Sequence, residues 1–338
     1  MQQFIKSSQI KQIKELIENN QHILIIQADN PDADSLGSAL ALEQIFTKLN
    51  KTVDLFCAVH IPNYLHYLTG WDRVSNEMPK KIDVVFFVDV STLTLLDKII
   101  RSKDIEKIKN KQVIILDHHQ ETKNIIDFAN LIISTPNLSS TGELIYQLSN
   151  KLNWPITTLA KTYIMASVLG DTQGLSNNLT KISTYRLLAN LIETGVDRLK
   201  LEEKRREYSL MPLKIFRYKA ELINRTEFFY NDSIGILILN QEDINNYSYL
   251  YNPGPLIRND ILQTEGVRVS IIIKQYDDHH ITAAIRSNYN YPIAADLASF
   301  FGGGGHIYTS GLNKKNVINI DKFKTDIIEK ANELLNKL

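Results

Sequence analysis

Asp117-His118-His119 sets an acid beside two imidazoles directly after the apolar run Val113-Ile114-Ile115-Leu116. Such groups are costly inside a fold unless they ligate or pair, so their place at a strand end points to chemistry. The same arrangement occurs twice more. The run at residues 22–26 leads into Asp29, Asp32 and Asp34, and the run at residues 84–88 leads into Asp89. In an open α/β sheet the strand C-termini line the ligand crevice, so these seven residues can converge from distant positions. Crowded carboxylates repel one another unless cations hold them, which predicts a metal cluster. In Asn30-Pro31-Asp32-Ala33-Asp34-Ser35 two carboxylates stand two residues apart before a helix. Helix capping alone is the plain alternative, and two further acidic strand ends outweigh it. Gly170-Asp171-Thr172 closes the apolar helical run at 163–169. The helix macrodipole disfavours an acid there, so a cation close to Asp171 is expected.

The elements that must position these residues follow from periodicity. Helical spacing is expected near 8–20, 35–49, 93–101, 144–152, 156–168 and 182–192, and strands near 22–27, 53–57, 83–89, 112–116 and 131–133. Ser140-Thr141-Gly142-Glu143 has the spacing of a capping box and opens the helix at 144–152. Strands alternating with helices predict an α/β fold with a doubly wound, mainly parallel N-terminal sheet. Beyond Gly195 come charged helices at 198–208 and 213–224, whose charge run reads as a solvated connector. Strands at 234–239, 267–274 and 281–286, a helix at 293–300, Gly302-Gly303-Gly304-Gly305-His306 and a helix at 321–338 follow. The expected organisation is a catalytic domain at 1–195, a helical connector at 196–227 and a smaller α/β domain at 228–338. The active site is expected in the cleft between the two domains.

Composition narrows the function classes. The chain has 338 residues, 43% of them hydrophobic, enough for two full cores. Lys plus Arg and Asp plus Glu balance at 38 each, so no global field favours coating duplex DNA. The single cysteine, Cys57, excludes an internal disulfide framework and fits a reducing compartment. With no apolar run of transmembrane length and no leader-like N-terminus, a soluble cytoplasmic protein is expected. Asp278-His279-His280 repeats the acid–imidazole string but precedes a strand, as a hairpin turn would. His22, His60 and His66 read as packing or surface residues. Four consecutive glycines let backbone amides form an anion nest, and Arg286 at a strand end offers a bidentate guanidinium to phosphate.

Asn30-Pro31-Asp32-x-Asp34, Asp89, Asp117-His118-His119 and Gly170-Asp171-Thr172, in this order and spacing, resemble the DHH phosphoesterase family. Arg286-Ser287 and Gly302-Gly303-Gly304-Gly305-His306 resemble the family's DHH-associated C-terminal domain, so the likeness spans nearly the whole chain. The motif wording is similar to the nanoRNase branch, whose members degrade short oligoribonucleotides and dephosphorylate 3′-phosphoadenosine 5′-phosphate (pAp). The resemblance implies two Mn2+ ions, with Mg2+ or Co2+ as substitutes. Asp89 would bridge them, Asp32 would hold the first, and Asp34, His118 and Asp171 the second. Asp89, His118 and His119 would be the catalytic set. His119 would touch the substrate phosphate, while Arg286, Ser287, Gly303, Gly304, Gly305 and His306 would bind substrate. The family usually carries a histidine where this chain has Ala28, and Asp29, then Gln27, are the nearest replacements. Gln173, Leu175 and Ser176 stand where the branch often has Gly, an aromatic and Arg. The implied partners are short RNA, pAp or dinucleotides, with no duplex DNA and no membrane, as monomer or homodimer. Rival readings are a phosphodiesterase for linear or cyclic dinucleotides, a RecJ-like single-strand exonuclease, and a nucleotide-binding regulator with weakened catalysis.

Overall fold

The run Val-Val-Phe-Phe-Val at 84–88 is buried along its whole length, as a strand covered on both faces must be. It is one of six parallel strands in the computed structural model, which describes residues 5–119, 126–248 and 252–338. The chain divides into two compact units, Met1–Leu210 and Met211–Leu338.

In chain order the first unit holds α1 (Ser7–Asn19), β1 (His22–Ile26), α2 (Ala33–Lys48), β2 (Thr52–Phe56), β3 (Val74–Ser75), β4 (Val84–Val88) and α3 (Asp97–Arg101). β5 (Gln112–Asp117), β6 (Leu131–Ser134), α4 (Thr141–Leu152), α5 (Thr158–Asp171), α6 (Ile182–Glu193) and α7 (Arg198–Tyr208) follow. The strand order is β3-β2-β1-β4-β5-β6, all parallel. Strands are laid down in one direction from β1 and in the other from β4, so the topological switch point lies between these two, where ligands bind in such sheets. Alternation sends Ile23 and Ile25 into the core under α2, α4 and α5, and Leu24 and Ile26 into the core under α3.

The expected helix at 93–101 is broken into a 3-10 turn at Leu93–Leu95 and the short α3. The loop after β1 grips the break: the Asp29 amide donates to the Leu95 carbonyl, and its carboxylate accepts from the Lys98 amide.

The second unit contains α8 (Leu213–Arg225), β7 (Glu227–Phe229), β8 (Ile234–Leu239), α9 (Gln241–Tyr247), α10 (Pro253–Gln263), β9 (Val269–Gln275), β10 (Ile281–Ser287), α11 (Ala294–Phe300), β11 (Gly304–His306), β12 (Thr309–Lys314) and α12 (Ile320–Leu335). Its six strands run β11-β12-β10-β9-β8-β7, antiparallel except for the β8–β9 pair. One face carries a core with α11 and α12, the other a core with α8 and α10. The expected connector falls across the division. α7 buries Leu201 in the first unit, and α8 buries Ile215, Tyr218 and Leu222 in the second.

Three helices of the first unit approach closely because small residues meet. A Cβ on Gly37 would lie 2.7 Å from the Tyr163 carbonyl, one on Gly142 would lie 2.1 Å from Ser167 Oγ, and one on Gly170 would lie 2.7 Å from Ala33 Cβ. α2, α4 and α5 therefore pack backbone against backbone at the end where Asp34, Thr141 and Asp171 reside. Gly142→Ala is expected to force these helices apart and lower stability by about 1–3 kcal/mol. Urea unfolding checks this; an unchanged midpoint would mean that the helices tolerate the added methyl.

Candidate metal centre

The switch-point strands deliver two of the predicted acids. Asp89 follows β4 with φ +58, a left-handed conformation that aspartate tolerates better than most residues, and its amide donates to the Leu116 carbonyl. This turn leaves its side chain buried, with Oδ1 accepting from Thr141 Oγ1 at 3.2 Å. Asp34, in the first turn of α2, is fully buried. Its Oδ2 accepts the Thr141 amide at 2.8 Å, and its Oδ1 accepts the Gly142 amide and the hydroxyls of Ser38 and Ser167. The N-terminus of α4 is thus aimed at a carboxylate, where its unpaired amides and dipole favour negative charge.

β5 delivers the imidazoles. His118 Nε2 lies 2.7 Å from Asp171 Oδ2, 3.5 Å from Asp34 Oδ2 and 3.6 Å from Asp89 Oδ1. Asp34, His118 and Asp171 form one group able to hold a cation, and Asp89, His118 and His119 form another. His119 is half exposed, and its Nδ1 lies 2.8 Å from Asp117 Oδ1, which also accepts the His119 amide. Asp117 therefore fixes the ring, leaving Nε2 without a hydrogen bond among the described residues.

Electrostatics follow from the crowding. Burial first, then the charges of Asp34, Asp32 and Asp171, push Asp89 well above the usual carboxylate range. Burial and Asp34 also raise Asp171. Burial alone would lower His118, but Asp171, Asp34 and Asp117 overcome it and raise the imidazole to about 9. Burial likewise opposes the charged forms of Asp117 and His119, yet their mutual pairing wins: the carboxyl is lowered and the imidazole raised. A divalent cation fits this donor set. His118 Nε2 is buried and faces three carboxylate oxygens at 2.7–3.6 Å, a convergence of one imidazole and three acids whose hard donors suit a divalent ion.

The remaining predicted residues are placed as follows. Asp32 caps α2, with Oδ1 accepting the amides of Asp34 and Ser35 at 3.0 Å, so the capping alternative holds and leaves Oδ2 for other work. Asp32 and Asp171 together border a cavity of about 250 Å³. Asp29 is not brought into the cluster; its Oδ2 accepts the Lys98 amide at 2.7 Å and starts α3. Ala28 is buried with the core beneath α3, and the Gln27 amide is buried with neither atom hydrogen-bonded among the described residues.

In the second unit, Arg286, Gly304 and Gly305 line a cavity of about 510 Å³. Gly303, Ser287 and His306 do not line it: Ser287 is buried against the Ile307 carbonyl, and His306 is exposed. Gly304 and Gly305 begin the edge strand β11. Glycine is required there because a Cβ on Gly303 would meet the Gly311 carbonyl at 2.3 Å and one on Gly305 the Ser310 Cα at 2.6 Å.

Several contributors were missed. Arg258 and Lys274 line the same cavity as Arg286, and none of the three has an acidic partner among the described residues. Burial, then repulsion from Arg258, lowers Arg286 to about 10, and burial lowers Lys274. No local motif marks these two. Thr141, Gly142 and Ser167 hold Asp34, and the capping-box spacing at 140–143 was their one visible signal.

Residues 22–170 match the DHH family, N-terminal domain. An uncharacterised protein of Mycoplasma pneumoniae, the MG371 homologue, is 24% identical over 313 residues, 89% of this chain and 90% of its own. The bifunctional oligoribonuclease and PAP phosphatase NrnA of Bacillus subtilis is 21% identical over 308 residues, 90% of this chain and 93% of its own. The crystal structure of an exopolyphosphatase-related protein from Bacteroides fragilis superposes with a TM-score of 0.84 at 22% identity and covers 98% of each chain, which shows a shared fold. Among the described residues no helix is long and apolar enough to cross a membrane.

Two outcomes are expected. Because His118 is raised to about 9, it is protonated at neutral pH, and a cation must displace that proton. Metal affinity should therefore climb as pH rises from 7 towards 9. Calorimetry in buffers of different ionisation enthalpy reads the released protons directly; metal uptake without proton release would contradict this. Asp29→Ala should cost about 0.5–2 kcal/mol by uncapping α3 while leaving metal stoichiometry intact, and a lost metal would return Asp29 to the centre.

Proposed function

We propose that this protein, whose residues 22–170 match the DHH family, is a divalent-metal phosphoesterase that trims short oligoribonucleotides from an end to 5′-mononucleotides and removes the 3′-phosphate of pAp. The observation that carries the reading is the buried His118 Nε2 facing oxygens of Asp34, Asp89 and Asp171 at 2.7–3.6 Å. In this reading Asp32 and Asp89 would hold a first ion, and Asp89, Asp34, His118 and Asp171 would hold a second. Oxygen and imidazole donors without thiolate favour manganese over softer metals. When bound, such a pair of cations polarises a phosphoryl group and supplies hydroxide at neutral pH.

The chain's own groups do the rest. The amides of Thr141 and Gly142 hold the Asp34 carboxylate in place, so the site does not reorganise when charge arrives. Asp117 holds His119 by Nδ1, and Nε2 donates to a non-bridging oxygen of the phosphoryl group. In the second unit, Arg286, with Arg258 and Lys274, supplies positive charge without acidic partners, suited to a substrate phosphate. The name of the Bacillus subtilis relative supports both activities. The balanced net charge fits short single strands over duplex nucleic acid, and the free thiol of the buried Cys57 fits work in the cytoplasm.

The test is a substrate panel with purified protein and Mn2+: pAp, RNA of two to five nucleotides, a long single strand and cyclic dinucleotides. Short RNA and pAp should turn over, and Asp89→Ala should lower both rates by orders of magnitude with loss of bound metal. Preference for cyclic dinucleotides or long strands would move the assignment to the corresponding rival. Full activity of Asp89→Ala would remove the metal mechanism.

A further inference from the structure

Donor atoms are not shared out evenly in the cluster. Asp34, His118 and Asp171 form one group whose ligand atoms lie within 4.8 Å of one another, and Asp89, His118 and His119 form the other. Both groups need His118, and a neutral imidazole has one ring nitrogen whose lone pair is free to bind an ion. The two groups therefore describe alternative places for one ion, and they cannot both be filled. Asp89 lies beside that ion in either case, its Oδ1 being 3.6 Å from His118 Nε2.

Little is left for another ion. Asp32 is a near neighbour of Asp89, which burial, Asp34 and then Asp32 raise together, yet among the described residues Asp32 joins no group able to hold a metal. Its Oδ1 already accepts the amides of Asp34 and Ser35, which leaves Oδ2. The acid three residues earlier is engaged elsewhere: Asp29 accepts the Lys98 amide at 2.7 Å. Ala28 has no donor atom and packs in the core beneath α3. Gln27, the residue after β1, offers only a neutral carboxamide. A hard divalent ion takes about six ligands, and where one or two carboxylates hold it, water and substrate phosphate supply the rest. Two carboxylates without an imidazole thus suit an ion that stays only while a phosphate is present.

We propose that the chain by itself holds one divalent ion, on Asp34, His118, Asp171 and Asp89, and that a second ion binds on Asp32 and Asp89 only together with a nucleoside phosphate, whose oxygens complete its ligand set. The proposal rests on the phosphoesterase reading for the class of that ligand. Two consequences follow from linkage. Nucleotide and second ion tighten one another by the same factor, and the second ion departs when the phosphate does. Asp32 and Asp89 thereby make the occupied site depend on free divalent ion as well as on substrate, whereas the His118 ion is a resident.

The experiment counts ions rather than turnovers. Mn2+ is titrated by calorimetry into metal-free protein alone, with 5′-AMP and with adenosine, and free Mn2+ is followed by the EPR signal of the hydrated ion. A titration of Mn2+ into AMP without protein corrects for the nucleotide's own affinity. Wild type should bind one ion per chain alone or with adenosine, and two with AMP, which should tighten the second by about tenfold or more. Asp32→Asn keeps the start of α2, since asparagine caps a helix as well as aspartate does. It should retain the first ion and fail to gain the one that comes with AMP. Asp171→Asn should instead weaken the ion bound without nucleotide. Two ions bound by the protein alone, one ion in the presence of AMP, a second ion brought by adenosine, or an Asp32→Asn protein that still gains its second ion would each overturn the proposal. A protein that gains the ion with AMP but hydrolyses no phosphoester defeats the phosphoesterase reading and leaves the ion count standing. One that hydrolyses short RNA yet binds two ions by itself does the reverse.

Discussion

Asp34 is a fully buried carboxyl group, and the elements around it are arranged to satisfy both of its oxygens. Two amides from the start of α4 and two serine hydroxyls reach it, which replaces the water it has lost. Those donors arrive only because α2, α4 and α5 touch through Gly37, Gly142 and Gly170. Ser167 belongs to both networks: its hydroxyl bonds Asp34 and Ser140 and accepts the Gly142 amide. Packing and chemistry share the same atoms, so a methyl group added for packing would be felt as a displaced ligand.

The crowd of acids around Asp34 is tolerable only as part of a charge balance. Without a cation, burial and mutual repulsion raise Asp89 and Asp171, and His118 takes up a proton to offset them. A divalent ion would supply that positive charge, which explains why protons and metal compete for one nitrogen. His119 stands apart from this competition because Asp117 gives it a partner of its own. The two adjacent imidazoles therefore sit in different surroundings, His118 among three acids and His119 paired with Asp117.

Identical local sequence does not make identical sites, as the two Asp-His-His strings show. In both, the acid bonds the ring of the second histidine: Asp117 to His119 at 2.8 Å and Asp278 to His280 at 2.5 Å. The contact is local, set by two residues of separation. The second copy sits in the turn between β9 and β10, with His279 at φ +60 and Asp278 exposed. Among the described residues it joins no group able to hold a metal.

The sequence by itself singled out the acids and imidazoles that the fold gathers, and roughly which elements carry them. Apolar runs ending in acids can be read from period and burial demand, and they located Asp32, Asp34, Asp89, His118, His119 and Asp171 without coordinates. It also marked Ser140-Thr141-Gly142-Glu143 as a helix start, though not that the helix start faces Asp34. Tertiary structure alone decided that the Asp29 carboxylate accepts the Lys98 amide at the start of α3, that Gly303 and Gly305 approach β12 too closely for a side chain, and that Arg258 and Lys274 line one cavity with Arg286. The same holds for Glu202 and Arg205, whose charged helix reads as solvated until Tyr64 and Asp171 are packed against it. The reason is physical. Strand ends and caps are set by forces acting over a few residues, whereas the partner of a carboxylate or a cation is set by what another element brings within hydrogen-bonding distance, and no local pattern records that.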